Sequence, residues 1–353
     1  MLTPIKLVHL QVTLRCNLRC SFCGQWGDNG YARKKRIRPE DEFSPNEWIR
    51  AIDQIMKLTP GIGNKPGFVV WGGEPLLYKG LDKVLSYIHK NGCRIGLVSN
   101  GVLLEDSTDV VKDHVSTLYV SLDGPGSMHD KIRGVEGIHT KIERGMSALA
   151  GSKVKKVCLS TINAENWNVM GETAIYAQSM GFDKIVFQNL IFLLPPERDA
   201  YDAWLREGFG INDSNSRSWT FEGIPEFAYR LPEALSSMKK RVDNKEFNMP
   251  VEFQPFGLGS HNIIDWMEGR GNILEGSPPC CLAPSCHFTV SPEGLVRFCI
   301  DFSDMPLGSL RDNSVLDILQ SEKAVRFRED VVAGKNPACI RCSWRHNKTY
   351  DID

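Results

Sequence analysis

Three cysteines near the start of the chain, Cys16, Cys20 and Cys23 in VTLRCNLRCSFCGQW, have the residue type and spacing to do chemistry. They follow an apolar, strand-like run (Leu7 to Leu14) in a C-x3-C-x2-C arrangement. Three thiolates on one short loop suit a [4Fe-4S] cube, because each sulfur reaches a different iron as the loop wraps round a corner. The fourth iron then has no protein ligand, and an open metal position is where a reactant binds. The alternative, a structural zinc knuckle, wants a fourth Cys or His nearby, and none lies close in sequence.

Of the eleven cysteines, six more fall between positions 280 and 342, and only Cys93 and Cys158 stand alone. Cys281-x2-Pro284 leads into an apolar run, His287–Val290, then Ser291-Pro292-Glu293-Gly294, then Leu295–Ile300 across Cys299. This pattern predicts a β-hairpin with its turn at PEGL and a cysteine at each end. A helix expected over Val315–Asp330 precedes Cys339-x2-Cys342. Two hairpin cysteines and a distant C-x2-C supply four thiolates, enough to close a cluster completely, with a four-cysteine zinc site as the alternative. Such grouping in an unsecreted chain points to metal or redox chemistry, not disulfides, and to a reducing cytoplasm. Cys93 reads as core.

The elements that must position these groups follow from periodicity. Strands are expected at Leu7–Leu14, Gly67–Trp71, Arg94–Val98, Thr117–Leu122, Val154–Ile162 and Lys184–Leu190. Helices are expected between them at Pro45–Leu58 (Ser44 as N-cap), Leu81–Asn91, Glu105–Lys112, Gly137–Leu149 and Trp167–Met180. Six β-α repeats predict an α/β fold, a partial or complete parallel barrel. Short polar motifs recur at the ends of these strands, where a parallel barrel builds its active site. The cysteine loop follows the first strand, Gly72-Gly73-Glu74-Pro75 the second, Ser99-Asn100-Gly101 the third and Ser121-Leu122-Asp123-Gly124 the fourth, while Gln188 and Asn189 close the sixth. Each alone is ordinary turn chemistry; their recurrence at one end of consecutive strands is the signal.

Length allows one large α/β domain and a smaller one at 353 residues. A hydrophobic content of 42% with 24% charged residues is that of an ordinary globular protein. A formal net charge of -1 gives no overall field for nucleic acid or acidic membrane. Apolar runs are broken well short of a membrane span. The first strand begins almost at once, which leaves no room for a targeting peptide or a separate N-terminal peptide-recognition domain. The basic-then-acidic stretch YARKKRIRPEDE (31–42) reads as a solvated, mobile loop in preference to a nuclear signal or nucleic-acid patch. From about Leu194 to Glu275 the rhythm is lost: Pro195-Pro196 reads as a break and an aromatic-rich polar segment follows. Within it, a helix is expected at Pro232–Arg241 and a strand at Val251–Phe256, and most of its aromatics read as core.

Together the C-x3-C-x2-C loop with Phe22, then WGGEPLL, SNG and SLDG in order, resemble the radical S-adenosylmethionine (SAM) superfamily, over nearly the whole chain. The resemblance implies a partial (β/α)6 TIM-like barrel in which SAM chelates the open iron of the first [4Fe-4S] cluster. It implies that Gly72, Gly73 and Glu74 meet the methionyl amino group. Ser99, Asn100, Ser121 and Arg133 are implied as contacts to the carboxylate and ribose, and Phe22 lies against the adenine. Gln188 joins them as a strand-end candidate, and Arg133 as a plain surface arginine is the alternative. The C-terminal pattern resembles the SPASM/twitch accessory domain in its short form. That implies one auxiliary [4Fe-4S] cluster on Cys281, Cys299, Cys339 and Cys342. Cys280 and Cys286 compete for the first ligand position, and the C-x2-P pattern favours Cys281. The implied divisions are 1–194 for the barrel, 195–275 for a connecting, substrate-shaping region and 276–353 for a small α+β cluster domain.

A fully ligated second cluster reads as an electron acceptor or relay, which favours oxidation of a substrate radical. A small polar molecule, sugar- or aminocyclitol-like, is the expected substrate, with a peptide to be crosslinked or epimerised as the alternative. Epimerisation needs a hydrogen-atom donor, for which Cys158 and Cys286 are the candidates. A flavodoxin- or ferredoxin-like electron donor is expected, and a non-catalytic iron–sulfur carrier is the reading from another class.

Overall fold

The computed structural model describes residues 4–34, 38–59, 65–270, 274, 277–347 and 350–352. Part of the basic run (35–37) and the expected division at 275/276 therefore lie outside the described residues. The described chain forms one ten-stranded sheet. Its strands are β1 (Leu7–Thr13), β2 (Gly67–Gly72), β3 (Ile95–Ser99), β4 (Thr117–Ser121), β5 (Lys155–Ile162), β6 (Lys184–Asn189), β7 (Val251–Gln254), β8 (His287–Val290), β9 (Leu295–Arg297) and β10 (Gly308–Ser309). The order is β10-β9-β8-β1-β2-β3-β4-β5-β6-β7. The six expected strands run parallel in sequence order, and the helices expected between them are present. One crossover starts with Ser44, whose hydroxyl accepts from the Glu47 amide while the Glu47 carboxylate accepts from the Ser44 amide, at 3.4 and 2.8 Å. That reciprocal pair satisfies two of the orphan donors at a helix start.

Three features depart from the sequence expectation. The stretch expected as a solvated loop opens with a helix, Tyr31–Lys34, in which Tyr31 and Ala32 are buried, and Glu42 is buried as well, paired with Arg15. Pro195-Pro196 does not break the chain; it opens the helix Pro195–Phe209, where Glu197 accepts the Leu194 amide at 2.8 Å. Proline is favoured in the first helical turn because its missing N–H is an orphan there anyway. The helix expected over Val315–Asp330 is two helices, Val315–Gln320 and Glu322–Val332. Ser321 sits between them with extended backbone, and its hydroxyl caps the second at the Ala324 amide.

The parallel sheet continues past the six strands on both sides. β7 adds to β6, so the segment after Leu194 makes one more β-α step. On the other side β8 pairs in parallel with β1, Leu7 opposite His287 through Leu10 opposite Val290. The hairpin turn is seated at Gly294, with φ +86°, where any Cβ would meet the Phe43 ring.

Strand alternation gives the sheet two faces. Val8, Leu10 and Val12 join Trp48, Ile52 and Ile55 in the main core under the helices. Leu7 packs on the opposite face with Val69, Tyr350 and Ile352. The C-terminal tail thus fills the floor of the curved sheet. Arg94 fastens it, donating to the Ile352 carbonyl at 2.8 Å and pairing with Asp351. Ile352 is 3% exposed, so Ile352→Ala is expected to lower unfolding free energy by about 2 kcal/mol in denaturant titration, with no change in bound iron.

Candidate active site and cluster sites

The Cys16–Cys23 loop leaves the end of β1 and is held by backbone fitted closely against it. A Cβ on Gly72 would lie 2.3 Å from the Thr13 carbonyl oxygen, and one on Gly73 2.4 Å from that of Arg15. Only glycine permits this contact, and it lets the Gly73 and Glu74 amides donate to Thr13 and Arg15 at 2.8 Å each. The Glu74 side chain turns inward. Its Oε1 accepts from the Leu76 amide at 3.0 Å and the Ser99 hydroxyl at 2.9 Å, and its Oε2 from the Asn100 amide at 2.7 Å. Burial pushes this carboxyl up to about 7, against the pull of those donors. Glu74 and Ser99 are therefore spent on each other and brace the loops after β2 and β3. Asn100 reaches the cysteine loop itself, its Nδ2 donating to Asn17 Oδ1 at 2.8 Å and lying 3.9 Å from Cys16 Sγ.

A second buried carboxylate holds the loop from the other side. Asp123, fully buried at the end of SLDG, accepts from the Thr161 amide at 2.8 Å and from Arg133 Nε at 2.6 Å. Arg133 then points at the cysteines, with Nη1 3.7 Å from Cys20 Sγ and the guanidinium 5.4 Å from the centre of the Phe22 ring. It is not a surface arginine: its side chain is 11% exposed. Ser121 ends β4 half-buried.

The three thiols fit a cluster. Burial pushes Cys16 up to about 11 and raises Cys20, and the neighbouring thiols add to both shifts. Iron offsets that penalty by taking the sulfurs as thiolates. Two backbone amides already aim at sulfur, Leu18 N–H at Cys16 and Trp26 N–H at Cys23, each at 3.4 Å.

The C-terminal thiols make a second, more enclosed set. Cys281, Cys299, Cys339 and Cys342 line one cavity, whose walls include Phe298, Phe327 and Trp344. All four are pushed up by burial, with Cys281 among the neighbours that raise the other three. Among the described residues no three Cys, His, Asp or Glu side chains converge on a single-ion site. Sharing one cavity, the four cysteines supply enough ligands to close a cluster. Cys280 and Cys286 are not among its lining residues. Cys286 turns to the Leu282 carbonyl at 3.4 Å and packs with Leu7 and Ala283.

Between the two cysteine sites lies a cavity of about 270 Å³. Phe22, Cys23 and Gly24 line it from the first loop and Arg133 from the helix Ser127–Arg133 after β4; Thr161, Gln188, Asn189 and Gln254 come from the ends of β5, β6 and β7. Asp301, Ser343, Trp344 and Asn347 come from the C-terminal segment. Gln188 and Gln254 share a hydrogen bond at 3.0 Å. Trp219 closes one side and lies so near Gly24 that a Cβ there would be 2.5 Å from its ring. Asp301, two residues past Cys299, has its carboxyl pushed up to about 6 by burial, and its Oδ2 has no hydrogen-bond partner in the fold. Trp344, two residues past Cys342, lines both this cavity and the second cysteine cavity.

The family follows from this geometry and from comparison with known proteins. Residues 10–177 match the model of the radical SAM superfamily, and residues 280–343 that of the SPASM iron-sulfur cluster-binding domain. The chain belongs to the radical SAM superfamily, with a SPASM domain at its C-terminus. It therefore carries a [4Fe-4S] cluster in the first domain and an auxiliary cluster in the second. It is 22% identical to the sporulation killing factor maturation protein SkfB of Bacillus subtilis, over 94% of this chain and 68% of that protein. It is 26% identical to the AdoMet-dependent heme synthase of Nitratidesulfovibrio vulgaris, over 95% of this chain and 84% of the relative. Similarity to the Fe-coproporphyrin III synthase of Methanosarcina barkeri, 28%, spans 53% of this chain and only 44% of that protein. Among solved structures, Streptococcus suis SuiB bound to its precursor peptide SuiA superposes with a TM-score of 0.63 at 14% identity, covering 97% of this chain and 72% of SuiB. No helix among the described residues is long and apolar enough to cross a membrane.

The two expected hydrogen-atom donors are not on the cavity. Cys158 is fully buried in the core under the helices, its Sγ 3.8 Å from the Leu122 carbonyl, because its position on β5 faces away from the Thr161 side. Cys286 lies at the head of β8 with the tail packed over it. Sequence reading missed Asp301, Trp344, Trp219 and Gln254. The strand-end rule extended to β7 finds Gln254, whereas nothing in spacing says that Asp301 and Trp344 turn toward the first domain. If Cys281 is the first auxiliary ligand, the reconstituted chain binds about eight irons. Cys281→Ala is then expected to lose about four of them while Cys280→Ala and Cys286→Ala keep all, read by iron analysis and absorbance.

Proposed function

We propose that this enzyme oxidises a C–H bond of a polar substrate by two electrons, with the substrate held between its two cysteine sites. The observation that carries this reading is the cavity wall. One side is Phe22 and Cys23, and the other is Asp301 and Trp344, which flank the auxiliary cysteines. Loaded on Cys16, Cys20 and Cys23, a [4Fe-4S] cluster with SAM supplies a 5′-deoxyadenosyl radical, and the auxiliary cluster supplies an electron acceptor. Around them the protein binds, orients and excludes water. Gly72, Gly73, Asn100, Ser121, Arg133 and Gln188 are assigned to SAM, and Glu74 and Ser99 act on it through the loops they brace. Phe22, Trp219 and Trp344 wall the cavity with aromatic surface, which limits water around a carbon radical. Asp301 Oδ2 accepts the proton that the substrate sheds as it is oxidised.

For the substrate, a peptide segment is the reading we put first. The carboxamides of Gln188, Asn189, Gln254 and Asn347 match peptide groups, which both donate and accept. SkfB, similar along nearly the whole chain, is named for maturing a killing factor, and SuiB binds a precursor peptide. The small, sugar-like substrate is the second reading, favoured by the partnerless acceptors Asn189 Oδ1 and Asp301 Oδ2, which suit hydroxyls. A flavodoxin- or ferredoxin-like donor in a reducing cytoplasm fits eleven unpaired cysteines.

Anaerobic incubation with SAM and a reductant is expected to release 5′-deoxyadenosine, and none above background from Cys16→Ala. Equal release from both would remove the catalytic reading and leave the electron carrier. Stimulation of that release by the peptide fraction of a cell extract supports the first substrate reading; stimulation by the small-molecule filtrate alone overturns it. With substrate, Asp301→Asn is expected to cut oxidised product about 100-fold or more while still releasing 5′-deoxyadenosine, read by chromatography of both products.

A further inference from the structure

The C-terminal tail does more than fill the floor of the sheet. Tyr350, 2% exposed, brings its hydroxyl within 3.7 Å of Cys281 Sγ and 3.1 Å of the Trp344 carbonyl oxygen. Its ring is stacked on Trp344 at 5.9 Å and 28° and lies 5.7 Å from His287. His287 in turn is 2.7 Å from the buried His9 of β1. The phenol is thus fixed by β1, by β8 and by the segment after Cys342, with its one polar atom against a cluster cysteine.

We propose that Tyr350 donates a hydrogen bond to the iron-bound thiolate of Cys281 and thereby raises the reduction potential of the auxiliary cluster. This rests on Cys281 being an auxiliary ligand. A thiol gives its own proton to a phenol oxygen, but a metal-bound thiolate has none and can only accept. The phenol has one proton and two acceptors in reach. The thiolate, carrying the greater charge, forms the stronger, charge-assisted bond. A donor on a ligand sulfur stabilises the reduced, more negative cluster, which is one of the levers proteins use on iron–sulfur potentials. Trp344, stacked on Tyr350, lines both the auxiliary cavity and the cavity proposed for the substrate.

The test is a redox titration of the reconstituted full-length protein followed by electron paramagnetic resonance, with and without SAM. SAM perturbs the first cluster, so the signal it leaves unchanged belongs to the auxiliary one. Tyr350→Phe is expected to keep about eight irons and to lower the midpoint of that signal by a tenfold change in the reduction equilibrium, about 59 mV for one electron. Trp344→Phe disturbs the same wall but keeps the phenol, and its midpoint is expected to match the unmodified protein. An unchanged midpoint in Tyr350→Phe, an equal fall in both variants, or loss of about four irons from Tyr350→Phe would each overturn the proposal. Full iron retention in Cys281→Ala would instead remove the ligand assignment beneath it, a distinct result.

Discussion

The parallel pairing of β8 with β1 is the constraint on which the rest of the structure depends. Four residue pairs, from Leu7 with His287 to Leu10 with Val290, join segments nearly the whole chain apart. The cysteine loop leaves the end of β1, while of the auxiliary cysteines Cys281 precedes β8 and Cys299 follows β9. With the two strands parallel, the first cysteine loop lies beyond the end of β1, whereas Cys281 and Cys299 lie level with the start of β8 and so with Leu7 at the start of β1. The accessory segment is thus no appended module; its hairpin extends the barrel sheet, and β7 extends it at the far side.

Two buried carboxylates do for the loops what β1 and β8 do for the strands. Glu74 gathers three donors from the loops after β2 and β3, and Asp123 ties the ends of β4 and β5 to Arg133. A buried carboxylate without such donors costs several kcal/mol or takes up a proton, so these loops are held in one arrangement or are lost together. A further buried ion, Arg341 within the last C-x2-C, joins Glu197 at 2.5 Å and the Met267 carbonyl at 2.8 Å. It locks the auxiliary cysteines to the segment that carries Trp219. Paired charges thus fix the Arg133 side of the cavity between the two cysteine sites and the segment that carries Trp219.

The parallel strands and crossover helices were legible because their signals are local: short apolar runs, helical periodicity and the Ser44 cap. Where expectation failed, a local rule was weighed wrongly. Pro195 can stop a helix or start one, and Glu197 three residues after Leu194 is the feature that decides for a start. Ser321 lies inside an apolar helical period, yet its hydroxyl serves as a cap. Cys158 carries no sign of its direction, since a buried parallel strand is apolar on both faces and alternation cannot say which face meets the cavity.

By itself, the sequence pointed to the chemistry of this protein: a three-cysteine loop expected to leave one iron open, strand-end motifs resembling those that meet SAM, and a C-terminal cysteine group sufficient for a second cluster. These are properties of residue type and short spacing, and no distant contact is needed to state them. Tertiary structure alone decided which of Cys280, Cys281 and Cys286 faces the other auxiliary thiols. It also turned Glu74 and Ser99 inward, took Cys158 off the cavity, brought Asp301 and Trp344 to its wall and set Tyr350 against Cys281. The reason is physical: the direction of a side chain depends on how a strand or tail packs against partners hundreds of residues away. That information is in the register of β1 with β8, not in any local stretch of residues.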